Sequence, residues 1–290
     1  MKQDNIQGGK TKGWARVLLI IIPNFIIVGL FQFAGAYVSG KEISPEYVQE
    51  TTEQHLITSF FGLLGTLLVI YLFVELVDDE RFADVGLHLK NHKKGILLGL
   101  IAGLFIIVAG YLVLEALNQI EFAETIFLGS EFLMTGFLFL IVSISEEIFF
   151  RGYVLRNFME SMNKYVALLV SALLFALMHA ANPNLSLIGN INLFLAGVVL
   201  GLPYIYTKNL MFPIAFHFSW NFFQSLFGFN VSGLDSYSLI EFKTTQDTWV
   251  NGGDFGFEGS VLAILFQITL IVALYVVFNN KKKEKLSIGM

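Results

Sequence analysis

No cysteine occurs among the 290 residues. That excludes a disulfide framework, an iron–sulfur cluster, a thiolate zinc site and a cysteine nucleophile. Charge is scarce as well: Asp, Glu, Lys and Arg make up 14% of the chain, against roughly a quarter in soluble domains. No basic tract is interleaved with aromatics, so nucleic acid is not an expected partner. No small-residue cleavage site follows the first apolar run, which reads as a retained helix and not a removed signal peptide. No soluble repeat or low-complexity segment is present. What fills the chain instead is apolar: 55% hydrophobic residues, 15% aromatics and a mean hydropathy of +0.68. This composition indicates a polytopic membrane protein with little room for a soluble domain.

A membrane-crossing helix needs about 20 mostly apolar residues. Eight runs qualify in the sequence: 17–38, 56–77, 94–117, 132–150, 165–181, 188–207, 210–227 and 259–278. The expected fold is an all-α polytopic integral membrane bundle of about eight transmembrane helices. Charge alternates in sign between the runs. Lys2, Lys10, Lys12 and Arg16 precede the first, and Glu42, Glu46, Glu50 and Glu53 follow it. Arg81, Lys90, Lys93 and Lys94 come next, then Glu121, Glu124 and Glu131, then Arg151, Arg156 and Lys164. Lys208 sits in a tight turn, the segment 228–258 carries five acids and one lysine, and Lys281, Lys282, Lys283 and Lys285 close the chain. The positive-inside rule then puts both termini in the cytoplasm of a multi-pass cell-membrane protein. Gly95, Gly99 and Gly103, and likewise Gly197 and Gly201, recur every fourth residue and indicate close helix–helix contact.

Against this background the polar residues inside apolar runs stand out, because such groups are costly in lipid and mark function. The stretch Ser145-Glu146-Glu147-Ile148-Phe149-Phe150-Arg151 holds two adjacent carboxylates and an arginine. Glu147 and Arg151 are four apart in the order that favours an ion pair on one helix face, which leaves Glu146 free to react. His179 ends another apolar run, with Phe175 one turn before it, and His217 and Asn221 share a face of a third. With Arg151 taken as a boundary and ~1.5 Å of rise per residue, Glu146 and His217 both come to about 10 Å below the cytoplasmic surface. His179 reaches the same level if Asn163 is a hairpin turn. A carboxylate and a histidine can take the proton of a water molecule, and a histidine with an asparagine can donate to an oxyanion. Alternatively Glu146, His179 and His217 could supply three ligands to zinc, which would acidify a bound water, although no HExxH pair lies on one helix.

The series Glu146-Glu147-x-x-x-Arg151, Phe175-x-x-x-His179 and His217-x-x-x-Asn221 resembles the three-motif pattern of the CPBP family, the type 2 CAAX prenyl proteases and bacteriocin-processing intramembrane proteases. Phe194-x-x-Gly197-x-x-x-Gly201 also resembles that family's small-residue packing helix. The resemblance implies a catalytic core at 132–227, preceded by three helices and their loops at 1–131. It is followed at 228–290 by an extracytoplasmic loop, a last helix and a basic tail. It implies that Glu146 and His179 activate water, that His217 and Asn221 stabilise the oxyanion, and that Glu147, Arg151 and Phe175 support them. The implied site faces the cytoplasm, and zinc dependence stays open. The implied partners are the bilayer and a membrane-embedded or lipidated peptide, as in CAAX processing or bacteriocin maturation and immunity. The absence of cysteine and the tight loops fit a bacterial chain. Two other readings remain at this point: a secondary transporter with a Glu/His proton relay, and a catalytically silent immunity or scaffold protein.

Overall fold

The computed structural model describes residues 12–41, 50–244 and 246–288, with side chains through 280. Lys2, Lys10, Glu42 and Glu46, which entered the charge reading, lie outside the described residues, as do the side chains of the closing lysines. The described chain is a bundle of helical rods. They are α1 (Gly13–Val38), α2 (Thr52–Leu76), α3 (Lys93–Ala116), α4 (Gly129–Glu147), α5 (Arg156–Ser161), α6 (Lys164–Met178), α7 (Leu187–Thr207), α8 (Met211–Leu226) and α9 (Val261–Ile288). A π-helical stretch, Ile148–Leu155, joins α4 and α5, so that Gly129–Ser161 forms one rod of 33 residues. The eight expected helices therefore form, but six of the described rods are long and apolar enough to cross a membrane. The two that are not are α6, with 15 residues, and α8, with 16. They are the rods that carry His179 and His217.

The helices start where side chains can satisfy their free amide groups. Thr51 and Gln54 form a reciprocal capping box on α2. Asn163 accepts from Tyr165 N and opens α6, which makes it the turn of the α5–α6 hairpin. Lys208 adopts a left-handed φ of 55° and ends α7. Apolar residues face outward, as lipid permits. Leu18, Leu19, Ile22, Phe25 and Ile26 of α1 are all exposed, whereas Arg16 and Asn24 are buried. Glycine brings neighbouring rods close. A Cβ on Gly103 would lie 2.7 Å from Ser219 Cβ, and one on Gly197 would lie 2.7 Å from Ala172 Cα. These contacts clamp α3 to α8 and α6 to α7, the close approach that small residues allow.

The bundle has two chemically different ends. The rods α1, α3, α6 and α8 begin at one of them, among Lys12, Arg81, Lys90, Lys93, Lys94, Lys164 and Lys208. This basic end is closed by a buried polar knot. Arg16 donates to Asn157 Oδ1 at 3.2 Å and to Glu160 at 3.0 Å, and lies 3.6 Å from Asp78. Asn157 and Tyr153 donate to the two Asp78 oxygens at 3.1 and 3.2 Å. Burial pushes the Asp78 carboxyl above its ordinary range, with these donors pulling it back. The opposite end carries Glu121, Glu124, Glu241, Asp247 and Asp254. There two antiparallel strands, β1 (Glu121–Thr125) and β2 (Ile240–Lys243), pair with Glu121 opposite Lys243 and a bulge at Phe122–Glu124. They tie the loop after α3 to the long loop after α8. Phe242 packs on Tyr111 and Phe229 and anchors that loop to the bundle.

Candidate active site

Glu146 lies on the last turn of α4 and borders a cavity of about 640 Å³ in the middle of the bundle. Its Oε2 is 3.8 Å from His179 Nε2 and 4.0 Å from His217 Nε2. The backbone and a second carboxylate fix both imidazoles. His179 is the C-cap of α6. Its Nδ1 is 2.8 Å from Phe175 O. A carbonyl oxygen only accepts, so Nδ1 carries the proton and Nε2 offers a lone pair toward Glu146. His217 Nδ1 lies 2.8 Å from Glu147 Oε1 and donates to it. The hairpin turn at Asn163 explains why a residue on α4 meets the end of α6: the two chain segments run side by side from the turn to the same level.

Glu147 is fully buried and does not face the cavity. Arg151 NH1 donates to the same Glu147 Oε1 at 2.8 Å, and NH2 donates to Gly197 O at 3.2 Å. The guanidinium stacks 4.6 Å over the Phe175 ring, whose centroid is also 4.6 Å from that of His179. Arg151 thus links α4, α6 and α7. It is not a solvated boundary residue as the sequence suggested: the rod continues past it to Ser161, and every residue of the π stretch is buried. Glu146 sits near the middle of the 33-residue rod Gly129–Ser161. Arg151 resembled a boundary because a charge beside a long apolar run more often faces water than a buried partner.

Asn221, one turn after His217, borders the same cavity and is buried. Its amide makes no side-chain hydrogen bond among the described residues. All seven side chains singled out in the sequence thus fall at one place. Glu146, Phe175, His179, His217 and Asn221 line the cavity, and Glu147 and Arg151 stand behind them. Among the described residues no set of three or more His, Cys, Asp or Glu side chains is arranged to hold a metal ion. Glu146, His179 and His217 as placed do not fit the zinc set that the sequence left open.

Glu258 and Asn192 are among the polar residues of this cavity that escaped the sequence reading. Glu258, counted there as a loop acid, is buried in the cavity wall. Its carboxylate accepts from Trp220 Nε1 at 3.2 Å, Ser232 N at 3.0 Å and Ser232 Oγ at 2.9 Å. Burial pushes this carboxyl up, and the Ser232 hydroxyl and nearby histidines pull it down. Asn192 of α7 donates to the carbonyls of Glu258 and Ser260 at 2.7 and 2.8 Å and accepts from Gln267. The only signal for Glu258 was its position just before the last apolar run.

Toward the basic end the space beyond Glu146 is filled by Ile148, Tyr153, Val154, Leu155, Leu202 and Leu210, all packed in one core. The lining comes from the other halves of the rods, from Gln32 and His55 down to Glu146, and from Ser232, Asp235 and Ser236 of the long loop. The site opens toward the acidic end, not toward the end where the basic loops lie.

Residues 128–223, from the start of α4 through most of α8, match a family model described as type II CAAX prenyl endopeptidase Rce1-like. No curated protein matches the chain. The matched segment contains every motif residue that meets in the cavity, and over it the chain is similar to the Rce1-like type II CAAX prenyl endopeptidases.

Proposed function

We propose that this multi-pass membrane protein is an endopeptidase that hydrolyses a peptide bond of a membrane-associated substrate with water activated by Glu146 and His179. The observation that carries the reading is the convergence of two imidazole Nε2 atoms on one Glu146 oxygen, at 3.8 and 4.0 Å. Each ring is fixed by a partner on its Nδ1. Water held between Glu146 and the His179 lone pair loses a proton to the carboxylate as its oxygen attacks the scissile carbonyl. His217, as an imidazolium braced by Glu147, donates Nε2–H to the developing oxyanion, and the Asn221 amide supplies a second donor. When the tetrahedral intermediate collapses, the C–N bond breaks and Glu146 returns its proton to the leaving amine. The C–O bond formed in the attack remains in the new carboxyl group. Glu147 and Arg151 touch no reacting atom in this scheme; they orient His217 and neutralise charge.

The family match favours this reading over a proton-relay transporter. The alternation of charge between the apolar runs supports eight crossings with both termini in the cytoplasm of a bacterial cell. The substrate class is a membrane-embedded or lipidated peptide, as in CAAX processing or bacteriocin maturation. Comparing membrane and secreted peptide termini in wild-type and Glu146→Ala cells tests the activity. Uncut precursors should accumulate in the variant. Purified Glu146→Ala protein that cleaves the same precursor at near wild-type rate would refute the mechanism.

A further inference from the structure

The direction in which the cavity opens carries a consequence for the substrate. Toward the basic end it is stopped by the packed π stretch and the Arg16–Asp78–Asn157 knot. Toward the acidic end its wall reaches Gln32 near the end of α1, His55 in the first turn of α2, and Asp235 in the long loop, and both Gln32 and Asp235 are exposed. Membrane proteins keep Lys and Arg on the cytoplasmic side. The closed end carries Lys12, Lys90, Lys93, Lys94 and Lys164. The open end is then extracytoplasmic.

The charge of the lining narrows the substrate further. Three carboxylates, Glu146, Asp235 and Glu258, and three histidines, His55, His179 and His217, border the cavity, and among the described residues no lysine or arginine does. The one arginine next to the site, Arg151, is buried and engaged by Glu147 and Gly197 O. The His217 imidazolium is committed to Glu147 and to the oxyanion, so a free C-terminal carboxylate entering this space would find no further cation, whereas a cationic segment would meet carboxylates at the rim and on the floor. The surrounding face adds Glu121, Glu124, Glu241, Asp247 and Asp254 against Lys243 and against Lys41, which is paired with Glu50. Potentials of one sign over a cleft steer oppositely charged ligands toward it.

We propose that the substrate is an exported, membrane-bound cationic peptide, cut on its extracytoplasmic side and within the chain, not released as a carboxyl-terminal fragment recognised by its free carboxylate. The proposal rests on the protease reading above and adds side and charge to it.

Two measurements test it on the full-length protein. The chain has no cysteine, so Ser59→Cys and Ser236→Cys in the cavity wall, and Ser161→Cys at the basic end, each provide a single label site. A membrane-impermeant maleimide on intact cells should modify the first two and should reach Ser161→Cys only after permeabilisation. The reverse pattern overturns the proposal whatever the enzyme cleaves. The second measurement uses liposomes holding the protein in one orientation, established by the same labels. Two myristoylated reporter peptides are added outside, identical except for Lys or Glu on both sides of the cut region. With the acidic end outward, the Lys peptide should be cleaved at least ~10-fold faster, and the gap should shrink as salt rises. Asp235→Asn should narrow it too. Equal rates, or cleavage only with the basic end outward, overturn the proposal and leave the protease reading standing. If neither peptide is cut faster than by Glu146→Ala protein in either orientation, the protease reading fails and the proposal falls with it.

Discussion

Replacing Arg151 by Ala would remove the guanidinium that neutralises Glu147. The guanidinium donates to Glu147 Oε1 at 2.8 Å and to Gly197 O at 3.2 Å, and both charged side chains are almost wholly buried. Losing one member of a buried pair costs about 3–5 kcal/mol, because the other charge is left uncompensated. Glu147→Gln should cost a similar amount by stranding Arg151. The double change Glu147→Gln with Arg151→Gln strands neither, so it should be about 2 kcal/mol less unstable than the sum of the singles, within the range seen for contacting pairs. Activity should not follow stability. His217 Nδ1 shares the same Glu147 oxygen, and a neutral amide there no longer braces an imidazolium. The double variant should therefore stay at least ~10-fold below wild type in cleavage, the low end of the loss expected for a disturbed acid–base group. Equilibrium unfolding of the four proteins in detergent, beside their cleavage rates, measures both. Singles and double that add to within about 0.5 kcal/mol would show uncoupled residues and refute the pairing argument.

Glu146→Gln, His179→Ala and His217→Ala should each lower cleavage by about 10²-fold or more with the protein still in the membrane, as measured on a reporter peptide. Gly103→Ala puts a methyl 2.7 Å from Ser219 Cβ and 2.8 Å from Trp220 N. It should cost about 1–3 kcal/mol by overpacking and lower activity by moving His217 on α8; unchanged unfolding would contradict the close contact. Glu258→Ala leaves Trp220 Nε1, Ser232 N and Ser232 Oγ without their acceptor, at about 1–3 kcal/mol for each unsatisfied buried donor. Limited proteolysis should then cut the loop after α8 earlier than in wild type. Because Glu146, His179 and His217 do not form a metal-holding set, chelators such as EDTA should leave the rate unchanged, and loss that zinc restores would sink the water mechanism as drawn.

Much of this arrangement could be read from the chain because lipid reverses the usual statistics. In a run such as Leu168–Met178 an apolar residue carries no information, and the single histidine after it carries a great deal. Glu147 and Arg151 were legible as a pair from spacing alone, since i and i+4 share a helix face, and their 2.8 Å contact follows. The second partner of Glu147 was not legible. Nothing in a one-dimensional spacing says that His217, 70 residues away, turns its Nδ1 to the same oxygen. The strands β1 and β2 were missed for a related reason: Glu121–Thr125 is short, exposed and acidic, and only pairing with Ile240–Lys243 makes it a strand.

The end at which the cavity opens follows from one burial and shows which physical quantity the sequence hides. A charge next to an apolar run is cheap at a membrane boundary and costly inside, so Arg151 seemed to mark the surface. Burial is affordable there because three separate partners meet it: a carboxylate, a carbonyl and an aromatic face. Two of them, Gly197 O and Phe175, come from other rods. Once Arg151 lies inside, the helix must run on to Ser161, and the π stretch between them fills the basic end. Glu146 is then left at the middle of the rod, with the cavity extending on the side of Asp235 and Glu258. The partners of one side chain thus decide at which end of the bundle the cavity opens.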